Sequence, residues 1–206
     1  MKFFTVVTSF VAACALLARN SHAIKDPATG IKFADKSGGL PVFGVGVRSK
    51  GPIKVYSVAC YGSTALKKSL SELSAKSEKK EAWDTLLKGA KKGPVTFLLN
   101  FNFKVGAEKV ASSITDSISS RFSGSGDVAK LKKLLCDGVN VKGSTAKGTT
   151  MQFDCSKGGV KVSLDGKNLG HISSGGLAEA FCGVYLDGKS VSPALRQSCL
   201  ENCCKP

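Results

Sequence analysis

The stretch GVGVRSKGPIKVYSVACYGS, Gly44 to Ser63, constrains the fold more than any other part of the chain. Valines, Ile53, Tyr56 and Tyr61 alternate with small or polar residues on both sides of Ser49-Lys50-Gly51-Pro52, so two strands meet at a tight turn. Alternate residues of a strand share a face, which sets Gly44, Gly46 and Arg48 on one side and Val45 and Val47 on the other. In the return strand Lys54, Tyr56, Val58 and Cys60 share a face, and Tyr61 falls on the opposite one. Arg48 and Tyr56 reach a common space only if even positions pair with even, as a loop of three or five residues arranges. The two glycines beside Arg48 leave a floor free of side chains, on which a ligand approaches the backbone closely.

Two outcomes are open for this arginine. At a strand end before Ser49-Lys50-Gly51-Pro52 it snorkels to water, with Tyr56 an ordinary strand aromatic bonded to a carbonyl. Held away from water it needs an anion, because an unpaired buried cation is strongly disfavoured. The planar guanidinium fork matches both oxygens of a carboxylate. Each charge-assisted hydrogen bond contributes about 1.5–3 kcal/mol, and each buried methylene of an attached chain about 0.8 kcal/mol.

Residues 1–23 read as a secretory signal peptide. Lys2 opens a basic region, Phe3 to Leu17 carries no charge, and Ser21-His22-Ala23 places small residues before a cut at Ile24. No later stretch approaches the roughly 18 apolar residues of a membrane span. Residues 24–206 suffice for one domain, with no repeat or low-complexity linker to divide it. The expected setting is the secretory pathway, as a secreted or endomembrane-lumen protein.

The formal charge of +15 includes Lys2 and Arg19, so the chain from Ile24 onward carries +13 and attracts anions over long range. Lysines concentrate at Lys67, Lys68, Lys76, Lys79, Lys80, Lys88, Lys91 and Lys92, with Trp83 the one aromatic among them. Readers of bases rely on arginine and stacked aromatics, so this is a solvated helix face and no nucleic-acid partner is expected.

Eight cysteines are present, and Cys14 falls in the leader. Disulfides are expected in an oxidising compartment, with an odd thiol left over. Cys199, Cys203 and Cys204 are placed to staple the C-terminus, whereas Cys60, Cys155 and Cys182 sit in apolar patterns as small hydrophobes. Cys136 completes the set. Adjacent cysteines without a nearby histidine do not make a zinc site. His171 is the one histidine after the leader and reads as a strand-edge residue. Serine and cysteine triads and histidine-rich metal sites therefore lack support, and no metal or other cofactor is expected.

Along the chain, Gly30 to Phe33, Val42 to Val47 and Ile53 to Tyr61 read as strands. Leu66, Leu70 and Leu73 mark an amphipathic helix, and Trp83, Leu86 and Leu87 another. "PVTFLLNFNFKV" is a strand whose Phe97, Leu99, Phe101 and Phe103 share one core face. Val110, Ile114, Ile118 and Phe122 mark a helix over 107–122, and Asp127 is positioned to N-cap the next. "TTMQFDC" and "GVKVSL" are strands, and Asp165-Gly166 turns toward "NLGHI". Leu177 to Tyr185 returns to helical spacing, and Pro193 opens a final short helix. Without βα alternation this is an α+β chain: an antiparallel sheet, an open-faced sandwich, with a layer of helices on one face.

The segments "TGIKF", "GVGVRSK", "IKVYSVACY", "FKVGAEKVASSI", "LDGKNLG" and "GLAEAFCGVYLDGKSVSPALRQS" occur in an order that resembles the chalcone isomerase-like family. The resemblance spans Thr29 to about Ser198. It implies an open antiparallel sheet, helices on one face and a ligand cleft between them. The family holds true isomerases and non-catalytic relatives that bind fatty acids; in the latter an arginine and a tyrosine hold the carboxylate, at positions matched here by Arg48 and Tyr56. The isomerases use a threonine where this chain has Tyr56, a tyrosine where it has Gly106, an asparagine where it has Ser113, and a serine or threonine where it has Val184. The resemblance thus implies a non-enzymatic binder of a fatty acid or similar apolar carboxylate. Two alternatives stand beside it. One is an intramolecular lyase or isomerase of chalcone type, with Arg48 stabilising a phenolate or enolate. The other is a secreted interaction protein that uses the lysine-rich helix.

Overall fold

The computed structural model describes residues 23–206, so all of the expected leader except Ala23 lies outside the described residues, His22 and Cys14 included. Strand β1 (Ile24–Lys25) pairs with β2 (Lys32–Phe33) as a small hairpin. The main sheet has seven strands in the order β11-β10-β9-β6-β5-β4-β3, every neighbour antiparallel. Its members are β3 (Lys36–Ser37), β4 (Leu40–Lys50), β5 (Ile53–Gly62), β6 (Val95–Phe101), β9 (Thr150–Ser156), β10 (Gly159–Leu164) and β11 (Lys167–Ile172). A two-residue pair, β7 (Val105–Gly106) and β8 (Ser144–Thr145), stands apart.

Six helices complete the described chain: α1 (Thr64–Ser71), α2 (Lys79–Lys92), α3 (Ala107–Ser119), α4 (Ser125–Asn140), α5 (Gly175–Leu186) and α6 (Pro193–Cys203). None is long and apolar enough to cross a membrane. α5 is buried along nearly its whole length and packs on β9 and β10, where Phe181 meets Phe97 and Phe153. The expected α+β architecture, a helix layer on one face of an antiparallel sheet, is what forms.

The helix-covered face carries the main core, with Val58, Cys60, Phe97, Leu99, Phe153 and Val160 pointing inward at strand period two. On the opposite face Phe33, Val45, Ala59 and Tyr61 make a smaller cluster under the N-terminal hairpin. Buried Asp26 pins that hairpin down by accepting from Ser57 Oγ at 2.6 Å and Thr29 Oγ1 at 2.8 Å.

The glycine floor of β4 is not open to a ligand, contrary to the expectation from sequence. Helix α6 lies directly on it. A Cβ on Gly46 would sit 2.2 Å from the Leu195 nitrogen, and one on Gly44 would sit 2.5 Å from that of Cys199. The glycines serve close helix–strand packing instead. β3 covers only Leu40 and Pro41, and α6 supplies partners beyond it. Val45 N–H donates to Ser198 Oγ at 3.1 Å, and Ser192 Oγ donates to the Val47 carbonyl at 2.9 Å. Side chains of one helix thus satisfy an edge that would otherwise stand exposed.

Three further expectations are corrected. β6 ends at Phe101, so Phe103 leaves the core face and stands 38 % exposed. Asp127 is the third residue of α4, because Ser125 and Gly126 already wind into the helix; its carboxylate makes no cap hydrogen bond and accepts from Lys130 Nζ at 3.1 Å. The disulfides are not supported, since all seven cysteines among the described residues are free thiols. Cys199 and Cys203 lie one turn apart on the buried side of α6, where Cys199 meets Cys60 and Cys203 Sγ donates to the Phe43 carbonyl at 3.7 Å. Contact with Cys60, then burial, pushes the Cys199 thiol well above its ordinary value. His171 lies exposed on β11, the edge strand, as expected.

Candidate ligand site

Arg48 and Tyr56 meet because of a bulge. The two-residue turn Gly51-Pro52, opened by a glycine with φ of 57°, pairs Lys50 with Ile53 and Ser49 with Lys54. That register joins even positions to odd ones and would separate Arg48 from Tyr56. Val55 is then left without a cross-strand partner, and from Arg48↔Tyr56 to Gly44↔Cys60 the ladder pairs even with even. The same bulge turns Lys54 away from Tyr56, so that its Nζ donates to the Ala28 carbonyl in the N-terminal hairpin.

Arg48 Nη1 donates to Tyr56 Oη at 3.2 Å, and Nη2 reaches the Ser113 carbonyl of α3 at 3.5 Å. Tyr56 Oη lies 2.9 Å from Tyr185 Oη on α5. Both tyrosines are buried and held by rings: Tyr56 tilts against Phe101 with centroids 5.5 Å apart, and Tyr185 stacks on Phe97 at 4.8 Å. The guanidinium is half-buried, and no acidic side chain bridges it among the described residues. Burial works against its charge, but the Tyr56 and Tyr185 oxygens outweigh that and raise its pKa. Burial, then Tyr56, pushes the Tyr185 phenol well above its ordinary value. The site thus joins one guanidinium to two phenol hydroxyls.

In front of this group lies a cleft of about 230 Å³. Val55, Tyr56 and Phe101 form its sheet wall, Val110 and Ile114 of α3 face them, and Ile53 and Phe103 stand at the mouth with Lys50 and Lys109. The walls are apolar apart from Arg48, Ser113 and these rim lysines. A half-buried cation bonded to a phenol hydroxyl, beside an apolar cleft, suits an amphiphile with an anionic head. The structure brings the two sequence-derived residues, Arg48 and Tyr56, together at this cleft. Tyr185 was missed, since a tyrosine ending an apolar helical run carries no local sign that its hydroxyl faces β5. The positions at which the isomerases use other side chains diverge: Gly106 is exposed, Ser113 offers its carbonyl, and Val184 is buried in the core.

A curled antiparallel sheet, a covering helix layer and a cleft between β5 and α3 define the class of fold. The family described as chalcone isomerase-like matches residues 27–201, and the chain belongs to that family. Among solved structures, the chain resembles the Arabidopsis thaliana fatty-acid binding protein AtFAP1. The TM-score is 0.71 at 20 % sequence identity, covering 88 % of this chain and 97 % of that one. No curated protein matches the chain in sequence.

Proposed function

We propose that the protein is a non-enzymatic carrier that binds a fatty acid or similar apolar carboxylate in the cleft between β5 and α3. The observation that carries this reading is the half-buried Arg48 guanidinium, bonded to Tyr56 and without an acidic partner among the described residues, at the inner end of an apolar channel. Arg48 receives the two carboxylate oxygens with its remaining N–H groups. Tyr185 donates to Tyr56, which frees the Tyr56 hydroxyl hydrogen for the ligand. The acyl chain runs outward between Phe101 and Val110 toward Ile53 and Phe103. The likeness of the fold to a fatty-acid binding protein supports this reading, as do Gly106, Ser113 and Val184 where the isomerases carry catalytic groups. Positive charge over the molecule steers anions inward. Residues 1–23 act as a secretory leader in the same proposal.

Titration calorimetry with a medium-chain fatty acid tests it. Wild type binds with one site, and Arg48→Ala weakens binding by about tenfold to a hundredfold while the thermal unfolding profile is kept. Equal affinity in the two proteins removes Arg48 from the site, and wild type that binds no fatty acid ends the carrier reading.

A further inference from the structure

The mouth of the cleft differs from the rest of the surface. Among the described residues only three large apolar side chains are strongly exposed: Ile53 at 53 %, Phe103 at 38 % and Val141 at 88 %. Ile53 and Phe103 form the outer wall of the cleft. Val141 caps α4, three residues before β8, and β8 pairs with β7 directly after the Phe103 loop. Phe101 N–H donates to the Thr149 carbonyl and Gly148 N–H to the Phe101 carbonyl, which ties the loop beyond β8 to the same end of the sheet. Asn102 N–H donates to the Val55 carbonyl and joins the β5 side to it. Segments 49–54, 102–107 and 141–149, distant in sequence, thus converge on one end of the molecule.

Lysines outnumber acids at this end, where Asp165 pairs with Lys142. The three segments hold Lys50, Lys54, Lys104, Lys142 and Lys147 and no acid. The nearest carboxylates are engaged: Glu108 with Lys132 at 2.6 Å, and Asp165 with Lys142. Protruding apolar tips beside Lys50, Lys104 and Lys147, which have no acidic partner among the described residues, complement a uniformly anionic surface with an apolar interior. A folded protein partner offers mixed charge and fixed hydrogen-bonding groups, for which this rim has no counterpart.

We infer that this rim docks on an anionic lipid bilayer, with Ile53, Phe103 and Val141 entering the acyl layer and the lysines resting on phosphates. The cleft then opens into the membrane, and its cargo moves between bilayer and channel without crossing water. The inference rests on the lipid-chain reading of the cleft for its purpose, and on the rim alone for its evidence.

Flotation of the full chain with vesicles of phosphatidylcholine, with and without phosphatidylglycerol, tests it. Wild type floats with the anionic vesicles, remains behind with the neutral ones, and is released by added salt as screening shortens. A Lys104→Glu/Lys147→Glu/Val141→Asp variant alters no side chain lining the cleft. Each lysine near an anionic surface is worth about fivefold in partitioning, so this variant loses at least about twentyfold in vesicle binding and keeps its calorimetric affinity for fatty acid. Arg48→Ala does the reverse, floating normally with its fatty-acid affinity reduced. Wild type that stays in solution, that binds neutral vesicles equally, or that is matched by the triple variant overturns the inference. Wild type that floats yet binds no fatty acid overturns the carrier reading and leaves the docking surface standing.

Discussion

Arg48 and Tyr56 are cross-strand partners in the β4–β5 ladder, and the Nη1 of one lies 3.2 Å from the hydroxyl of the other. A single unpaired residue, Val55, creates this relationship by correcting the register that a two-residue turn imposes. Without Val55 the regular register of the turn would itself set Tyr56 opposite Arg48, so the bulge compensates for one extra residue in β5.

Tyr185 orients Tyr56 in the proposed site, so its hydroxyl matters although it does not line the cleft. Tyr185→Phe is expected to lower fatty-acid affinity by about fivefold, the worth of one ordinary hydrogen bond. In an Arg48→Ala background the same change is expected to cost less, because the three groups act as one network. Full additivity in a calorimetric double-mutant cycle sinks the network.

Charge retention alone is not sufficient at position 48. Arg48→Lys preserves the cation but presents no planar fork, and the shorter reach loses contact with Tyr56 or with the ligand. Affinity is expected to fall nearly as far as in Arg48→Ala. A lysine variant that binds as wild type reduces the site to a point charge.

Alkaline pH is expected to destabilise the fold through its tyrosines. Burial, then Cys60, pushes Tyr61 up to about 12, and burial, then Tyr56, also raises Tyr185. Both phenols ionise more readily in the unfolded chain, so their stabilisation is fully present below about pH 10 and is lost as pH rises toward the folded values. Denaturant midpoints measured from pH 8 to 12 should decline above pH 10. Tyr61→Phe, which removes one of the two phenols, should flatten that decline.

Gly46 allows α6 to rest on β4. Gly46→Ala sets a Cβ 2.2 Å from the backbone nitrogen of Leu195, where no flexible side chain is available to yield. The expected loss is about 1–3 kcal/mol in chemical denaturation, the usual range for overpacking. A substitution at exposed Gly126, where no atom lies within 4 Å of the added carbon, serves as the control.

The thiols give a simple readout of the core. Cys136 is partly exposed, and burial followed by its contact with Glu108 raises its pKa. Maleimide is expected to label Cys136 slowly at neutral pH, and Cys60, Cys155, Cys182, Cys199, Cys203 and Cys204 only after unfolding. A non-reducing mass that lacks two hydrogens would reveal a disulfide and reverse this picture.

Much of the architecture was legible before any coordinates. Period-two alternation in β5, β6 and β9 and the four-residue spacing of Val110, Ile114 and Ile118 each follow from local burial, and burial leaves its pattern in the chain. Phe103 misled because alternation continues past the point where the strand ends. Asn102 N–H still bonds the Val55 carbonyl in step with the β5–β6 ladder, and the side-chain pattern does not show that the strand stops there. The glycine floor misled for a related reason, since a glycine reports only that something approaches closely. A ligand and a helix leave the same mark.

By itself the sequence determined the fold class and the two strands around Gly51-Pro52, and it marked Arg48 and Tyr56 as candidates for an anion site. Those follow from side-chain period, turn chemistry and the cost of hiding a guanidinium, all of which act within a few residues. Only the tertiary structure decided the bulge at Val55, the second hydroxyl from Tyr185, the seating of α6 on Gly44 and Gly46, and the gathering of Ile53, Phe103 and Val141 at one end. All but the bulge join segments tens of residues apart, and such a contact depends on the packing of whole elements, which no local pattern encodes.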